Sequence, residues 1–273
     1  MTAAIPLVQY LFRRLKELRC HSLHGVPGDF FLRALDHVDA TGLRWVGNAN
    51  EICAGYATDG YARAGYHAVA RRTVAAPRVG ALFTTYGVGE LSASNAVAGS
   101  YAESIPLVHL VGTPCQSAMR PIHHTLADGR MGVYAEMAKQ ITCMQTNFHE
   151  SGDHLEALQA YDEMLETCVL RSKPVYASIP SDLMEVPVPA SMLEKPLRVQ
   201  PSPNEEAEEN AVVDDVVELL SAAERPLLIA DGLCYPFDFL PQANALAQLL
   251  PTRRFLSVKG VLDESNLTAS WRA

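Results

Sequence analysis

The segments Pro106–Val111 and Pro174–Ile179 are apolar almost throughout. A strand with one face in water alternates apolar and polar residues, whereas a strand covered on both faces has no need to. These two runs therefore restrict the chain to a parallel sheet sandwiched between helices. Short runs at 22–26, 43–47, 79–85, 106–112, 140–145 and 175–179 supply six candidate strands. Helical spacing fills the gaps, with Leu7, Leu11, Leu15 and Leu18 on one side of 7–18, and Leu155, Leu158, Leu165 and Cys168 along 153–171. The expectation is an α/β domain over residues 1–185, a parallel six-stranded sheet flanked by helices.

Prolines 187, 189, 196, 201 and 203 make 186–204 read as an extended linker, because proline breaks helices. Beyond it, 205–223 and 237–250 read as helices and 226–230 and 254–257 as strands, the start of an incomplete second α/β domain over 205–273. Two strands do not build an ordinary parallel sheet, so truncation is expected. Within the first domain, residues 65–78 form a connection longer than the usual ~2–6 residues. This Ala- and Arg-rich stretch is read as an atypical insertion without a role, of a composition that suits translated intron sequence.

The net charge of −9 is a local feature. Eight carboxylates between Glu205 and Glu224, with no base among them, account for nearly all of it. They suit a solvated helix face and its N-terminal turn. No basic stripe is present to neutralise phosphates, so nucleic acid is not an expected partner. No run approaches the ~18 apolar residues of a membrane helix, and the first residues lack the pattern of a signal peptide. A cytoplasmic protein without membrane association is expected. The six cysteines, at 20, 53, 115, 143, 168 and 234, form no CxxC pair and read as reduced and structural.

Four segments follow candidate strands, where open parallel sheets bind ligands. Gly25 to Phe30 holds the turn Pro27-Gly28 and Asp29, which by itself reads as a helix cap. Gly47 to Glu51 ends on a glutamate at a helix start, ordinarily a surface residue that complements the dipole. Gly87-Val88-Gly89-Glu90-Leu91-Ser92 imitates a dinucleotide fingerprint, but Ser92 replaces the third glycine and Glu90 sets a negative charge beside any phosphate. His123-His124 are adjacent, and adjacent side chains diverge on a helix or strand, a poor arrangement for binding one metal. In a loop the pair can share one pocket. His21 and His24 read as structural.

With these segments together, the chain resembles the thiamine-diphosphate-dependent 2-oxo acid decarboxylases, and within them the fungal pyruvate decarboxylase group. The resemblance is carried by Gly25 to Phe30, Gly47 to Arg63, Thr84 to Ala93, Ala98 to Glu103, and His123-His124-Thr125-Leu126. It implies that residues 1–185 are the pyrimidine-binding domain and 205–273 part of the central domain. It further implies that Glu51 hydrogen-bonds the aminopyrimidine ring of thiamine diphosphate and so promotes loss of the thiazolium C2 proton. Asp29, His123 and His124 then handle the substrate carboxylate and the protonation that follows decarboxylation, and Pro27, Gly28 and Val88 lie near the pyrimidine pocket. The implied substrate is a small 2-oxo acid, most simply pyruvate, giving acetaldehyde and CO2.

The sequence departs from that family at residues 65–78 and at Ala127 to Met131, where relatives carry Gly-Asn-Gly-Asp-Phe or close variants. It also lacks the Gly-Asp-Gly…Asn motif by which a third domain holds Mg2+ and the diphosphate, so no metal ligand is assigned within these residues. The resemblance implies that Glu51 serves cofactor held by a partner subunit, in a homodimer or tetramer of the full-length form, and that this chain alone is inactive. Two alternatives remain: a decarboxylase of indolepyruvate or phenylpyruvate, or a truncated non-catalytic homologue that modulates full-length subunits.

Overall fold

The structure is a computed structural model and describes residues 3–70, 79–116, 122–126, 128–150, 152–249, 253–256 and 261–262. In chain order the first unit contains β1 (Ala4–Pro6), α1 (Leu7–Glu17), β2 (Ser22–Gly25), α2 (Leu32–Leu35), β3 (Arg44–Gly47), α3 (Glu51–Ala70) and β4 (Gly80–Thr85). It continues with α4 (Val88–Ala102), β5 (Leu107–Thr113), α5 (Val133–Ala138), β6 (Gln145–Asn147), α6 (His154–Arg171), β7 (Val175–Pro180) and β8 (Pro187–Pro189). The second unit, beginning at Gln200, contains α7 (Glu206–Ala222), β9 (Leu227–Ala230), α8 (Leu240–Leu249) and β10 (Arg253–Leu256).

Six strands form one all-parallel sheet in the order β3-β2-β4-β5-β7-β6. Side chains alternate across it, as the strand period requires. Phe83, Val108, Leu110, Val175 and Ala177 face a cluster completed by α1 and α6. Leu82 and Leu107 face Ala54 of α3 and Ala93 and Val97 of α4, while Val111 and Tyr176 face Tyr134 and Ala135 of α5. Burial on both faces is why β5 and β7 carry apolar residues at consecutive positions.

A buried arginine ties α1 to α6. The Arg14 guanidinium is 1% exposed and donates to Asp162, to Glu17, to the Tyr10 hydroxyl and to the Met192 carbonyl. Asp162 also accepts from the Tyr10 hydroxyl at 2.6 Å.

Three expectations need correction. The run 140–145 is not a strand except at its last residue. Its first part closes α5, with the Thr142 hydroxyl donating to the Ala138 carbonyl and Ile141 packing beside the α3–α4 cluster, and the strand starts at Gln145. The helix expected to end near Arg63 runs on to Ala70, since 64–70 holds no proline to stop it. Residues 65–70 of the expected insertion are therefore helical, and 71–78 lie outside the described residues. Finally, the first half of the proline-rich stretch is not a free linker. β8 pairs antiparallel with β1, at an edge where proline is tolerated, and Val188 and Leu197 are buried in the first unit's core.

In the second unit β9 and β10 pair in parallel, and Ala230, Leu240, Ala247, Val261 and Leu262 form a small cluster. Six of the eight carboxylates of the acidic run lie on α7, which also leaves Val212, Val213, Val216, Val217 and Leu219 exposed. Among the cysteines, Cys20 and Cys168 are buried as expected, whereas Cys53 is exposed on α3. No helix of the described residues is long and apolar enough to cross a membrane.

Candidate active site

The strand order reverses between β2 and β4, the switch point at which doubly wound sheets leave a crevice at their C-terminal edge. The segments after those two strands meet there. A Cβ on Gly28 would lie 2.5 Å from the Thr85 Cβ and 3.0 Å from the Phe31 ring, so only glycine allows this approach. A Cβ on Gly89 would lie 3.0 Å from both the Glu51 Oε1 and the Thr85 Cγ2. Gly28, Thr85, Gly89 and the Glu51 carboxylate thus line one cradle. The Thr85 Oγ1 is buried there without a hydrogen-bond partner among the described residues, and a buried hydroxyl left unpaired costs free energy unless something satisfies it.

Local chemistry puts Glu51 at this point. Asn50 precedes α3 and its Oδ1 accepts from the Ile52 N–H at 2.9 Å, an N-cap contact. The same oxygen accepts from the Ser92 hydroxyl at 3.0 Å, which joins the start of α3 to the first turns of α4. Deeper in these helices, Asp59 accepts from the Ser100 hydroxyl at 2.7 Å, and Arg63 bridges Asp59 and Glu103. The conspicuous residues Asp59, Arg63 and Glu103 therefore lock α3 against α4.

The turn before α4 depends on Gly87, which has φ +67° and packs against the His124 carbonyl where a Cβ would collide. Glu90, whose charge counted against a dinucleotide fingerprint, is not a surface residue of the turn. Its carboxylate turns inward, 3% exposed, and accepts from the Gly87 N–H and the Tyr176 hydroxyl, each at 2.8 Å. Burial pushes Glu90 up to about 7, against the downward pull of those two donors. Nearby, His109 lies edge-on to Tyr176 and shares a 2.9 Å hydrogen bond with the Thr84 hydroxyl; burial lowers it to about 3, so it is neutral.

Asp29, His123 and His124 come together. The His123 ring contacts the Asp29 carboxylate and stacks on Phe30, centroids 5.1 Å apart and planes 12° from parallel. His124 adopts φ +67°, a left-handed backbone that histidine tolerates better than most residues. That conformation turns its ring back beside His123, centroids 4.8 Å apart at 75°. The divergence expected of adjacent histidines applies to regular structure and not to this bend. Pro27 and Val88 are exposed, Val88 at 55% despite being apolar.

The structure therefore places Gly28 and Glu51 in one cradle and Asp29, His123 and His124 in one cluster. The turn 85–89 touches both, through Gly89 and Gly87 respectively. Thr85, Phe30 and Tyr176 complete the region and were not singled out from sequence, and Glu90 was noted there only for its charge. Phe30 and Glu90 lie inside quoted motifs, but nothing in their spacing reveals a stack or a buried carboxyl. A cavity of about 90 Å³ opens alongside, lined by Thr113, Tyr176 and Ser178 among others. It shares only Tyr86 with the 85–89 turn.

Residues 5–130 match a family described as thiamine pyrophosphate enzyme, N-terminal TPP binding domain. The chain is 39% identical over 266 residues to a pyruvate decarboxylase of Aspergillus terreus, covering 96% of this chain and 44% of that protein. It is 36% identical over 271 residues to a pyruvate decarboxylase of Kluyveromyces marxianus and to pyruvate decarboxylase isozyme 1 of Saccharomyces cerevisiae, covering 96% of this chain and 45% of each. The chain thus spans a little under half the length of these relatives.

Proposed function

We propose that this chain, whose residues 5–130 match the N-terminal TPP binding domain of thiamine pyrophosphate enzymes, is the pyrimidine-side part of a 2-oxo acid decarboxylase whose substrate is pyruvate. The observation that carries the proposal is the cradle of Gly28, Thr85 and Gly89 with the Glu51 carboxylate at its edge. A flat ring with polar nitrogens fits those residues. Gly28 and Gly89 let the Thr85 side chain and the Glu51 carboxylate approach one another at the crevice, and exposed Val88 supplies an apolar wall. Bound there, thiamine diphosphate supplies the electron sink that loss of CO2 from a 2-oxo acid requires.

The chain's own residues orient that ring and move protons. Glu51 holds a proton at its carboxylate against the ring nitrogen, a role in which positioned acids typically supply ~10²–10⁴-fold in rate. Pro27 and Val88 border the ring. Asp29, His123 and His124 present a carboxylate and two imidazoles to the substrate side, where they bind the substrate carboxylate and return a proton to carbon before acetaldehyde leaves. The diphosphate and Mg2+ belong, in this proposal, to a Gly-Asp-Gly…Asn segment outside these 273 residues, on a partner subunit of a homodimer or tetramer.

The test is acetaldehyde release from pyruvate with thiamine diphosphate and Mg2+, by the full-length form and by this chain. The full-length form should be active, the present chain inactive, and the full-length Glu51→Gln variant slowed about 10²–10⁴-fold. An inactive full-length form, or a Glu51→Gln variant as fast as its parent, overturns the proposal. A second reading draws on Ala127 to Met131, which departs from the family pattern just after His124. Under it the preferred substrate is phenylpyruvate or indolepyruvate, and parallel assays on all three acids decide between the two.

A further inference from the structure

One carboxylate oxygen of Asp29 and one ring nitrogen each of His123 and His124 all lie within 4.8 Å of one another. We propose that these three side chains form a binding site for a divalent transition-metal ion of the zinc and nickel class. The inference stands on this geometry and not on the decarboxylase reading. Its consequence for that reading is that a bound metal ion occupies the groups that would handle substrate, and so inhibits.

Donor chemistry selects the class of ion. Two imidazoles and one carboxylate suit zinc, nickel or cobalt, whereas magnesium prefers oxygen ligands and water. Three protein donors with room for water match the open arrangement of non-structural zinc sites. That room exists, since the Asp29 and His123 side chains are 47% and 58% exposed. A tetrahedral ion ~2.1 Å from each donor needs donors roughly 3.3 Å apart, within reach of small rotations of exposed side chains.

The backbone makes the convergence more than a chance meeting of surface groups. The left-handed His124 turns two adjacent rings toward one point. The Thr125 hydroxyl closes the bend by donating to the Ile122 carbonyl at 2.6 Å while accepting from the Ile122 N–H at 3.2 Å. The Phe30 stack sets the plane of His123 beside Asp29, which comes from a distant segment of chain. Two of the three donors are therefore oriented before any ion arrives, which lowers the entropy cost of binding.

The test is calorimetric titration of the purified 273-residue chain with Zn2+, Ni2+ and Mg2+, repeated on Asp29→Asn, His123→Gln and His124→Gln. His37→Gln is the control, since His37 pairs with Glu185 at 2.8 Å and is an independent histidine–carboxylate pair. One Zn2+ or Ni2+ site per chain should be lost, or weakened at least about tenfold, in each of the three variants. It should be unchanged in the control, and Mg2+ should not fill it. Parent-like binding in any of the three, loss in the control, or equal filling by Mg2+ overturns the proposal. Broadening of backbone amide signals by Ni2+ requires no substitution and so does not depend on a variant's folding. It should centre on Asp29 and residues 122–125, and broadening centred elsewhere overturns the proposal.

Discussion

Glu90 is the residue whose surroundings depart furthest from its chemistry: a carboxyl 3% exposed, held between a backbone N–H and a tyrosine hydroxyl. Its ordinary value is 4.5 and its folded value about 7. Between those values the folded state keeps a proton that the unfolded state has released, so stability falls as pH rises. This contribution is fully present below about 4.5 and gone above about 7, with a size on the order of 3 kcal/mol. Glu90→Gln should remove that slope. Melting temperatures at pH 5 and pH 8 should therefore diverge less in the variant than in the parent. An identical pH response in both would show that Glu90 titrates normally. Nothing in the sequence announces this, because burial of a carboxyl depends on Tyr176, 86 positions away.

At the scale of elements, the turn 85–89 is the piece on which the site depends. Gly87→Ala places a Cβ where the His124 carbonyl lies, on a backbone already at φ +67°. A loss of about 1–3 kcal/mol in urea unfolding is expected from the strained conformation, together with displaced amide signals at His123 and His124. A variant as stable as its parent with those signals unmoved would contradict the packing described. The α1–α6 clamp makes a separate prediction, since Arg14→Met leaves Asp162 without its main partner. Such unpaired buried charges typically cost about 3–5 kcal/mol, readable as a lower urea midpoint. The strands of the sheet's centre were legible because burial on both faces leaves continuous apolar runs in β4, β5 and β7. β6 was not, because the apolar residues before it pack as a turn closing α5. β8 was not, because prolines suggest a linker wherever their pairing partner is 181–185 residues distant.

For the molecule as a whole, the nearness of the candidate residues was legible in the segments that follow strands, since a parallel sheet gathers those segments at one edge. Asp29, Glu51, His123 and His124 were each unremarkable alone, and gained meaning from their common edge and from the family resemblance. Their detailed contacts were hidden, because the bend at His124 and the closeness of Gly89 to Glu51 are tertiary facts. The chain spans 44–45% of relatives named as pyruvate decarboxylases, and its candidate residues are proposed to address one end of a cofactor. The central claim is that Glu51 serves that end, and the most direct measurement is exchange of the thiazolium C2 proton of thiamine diphosphate for deuterium. In the full-length form with Mg2+, Glu51→Gln should slow this exchange by about 10²–10⁴-fold relative to the parent. Exchange at the parental rate in the variant would contradict the assignment of Glu51 and, with it, the account of the cradle as the pyrimidine site.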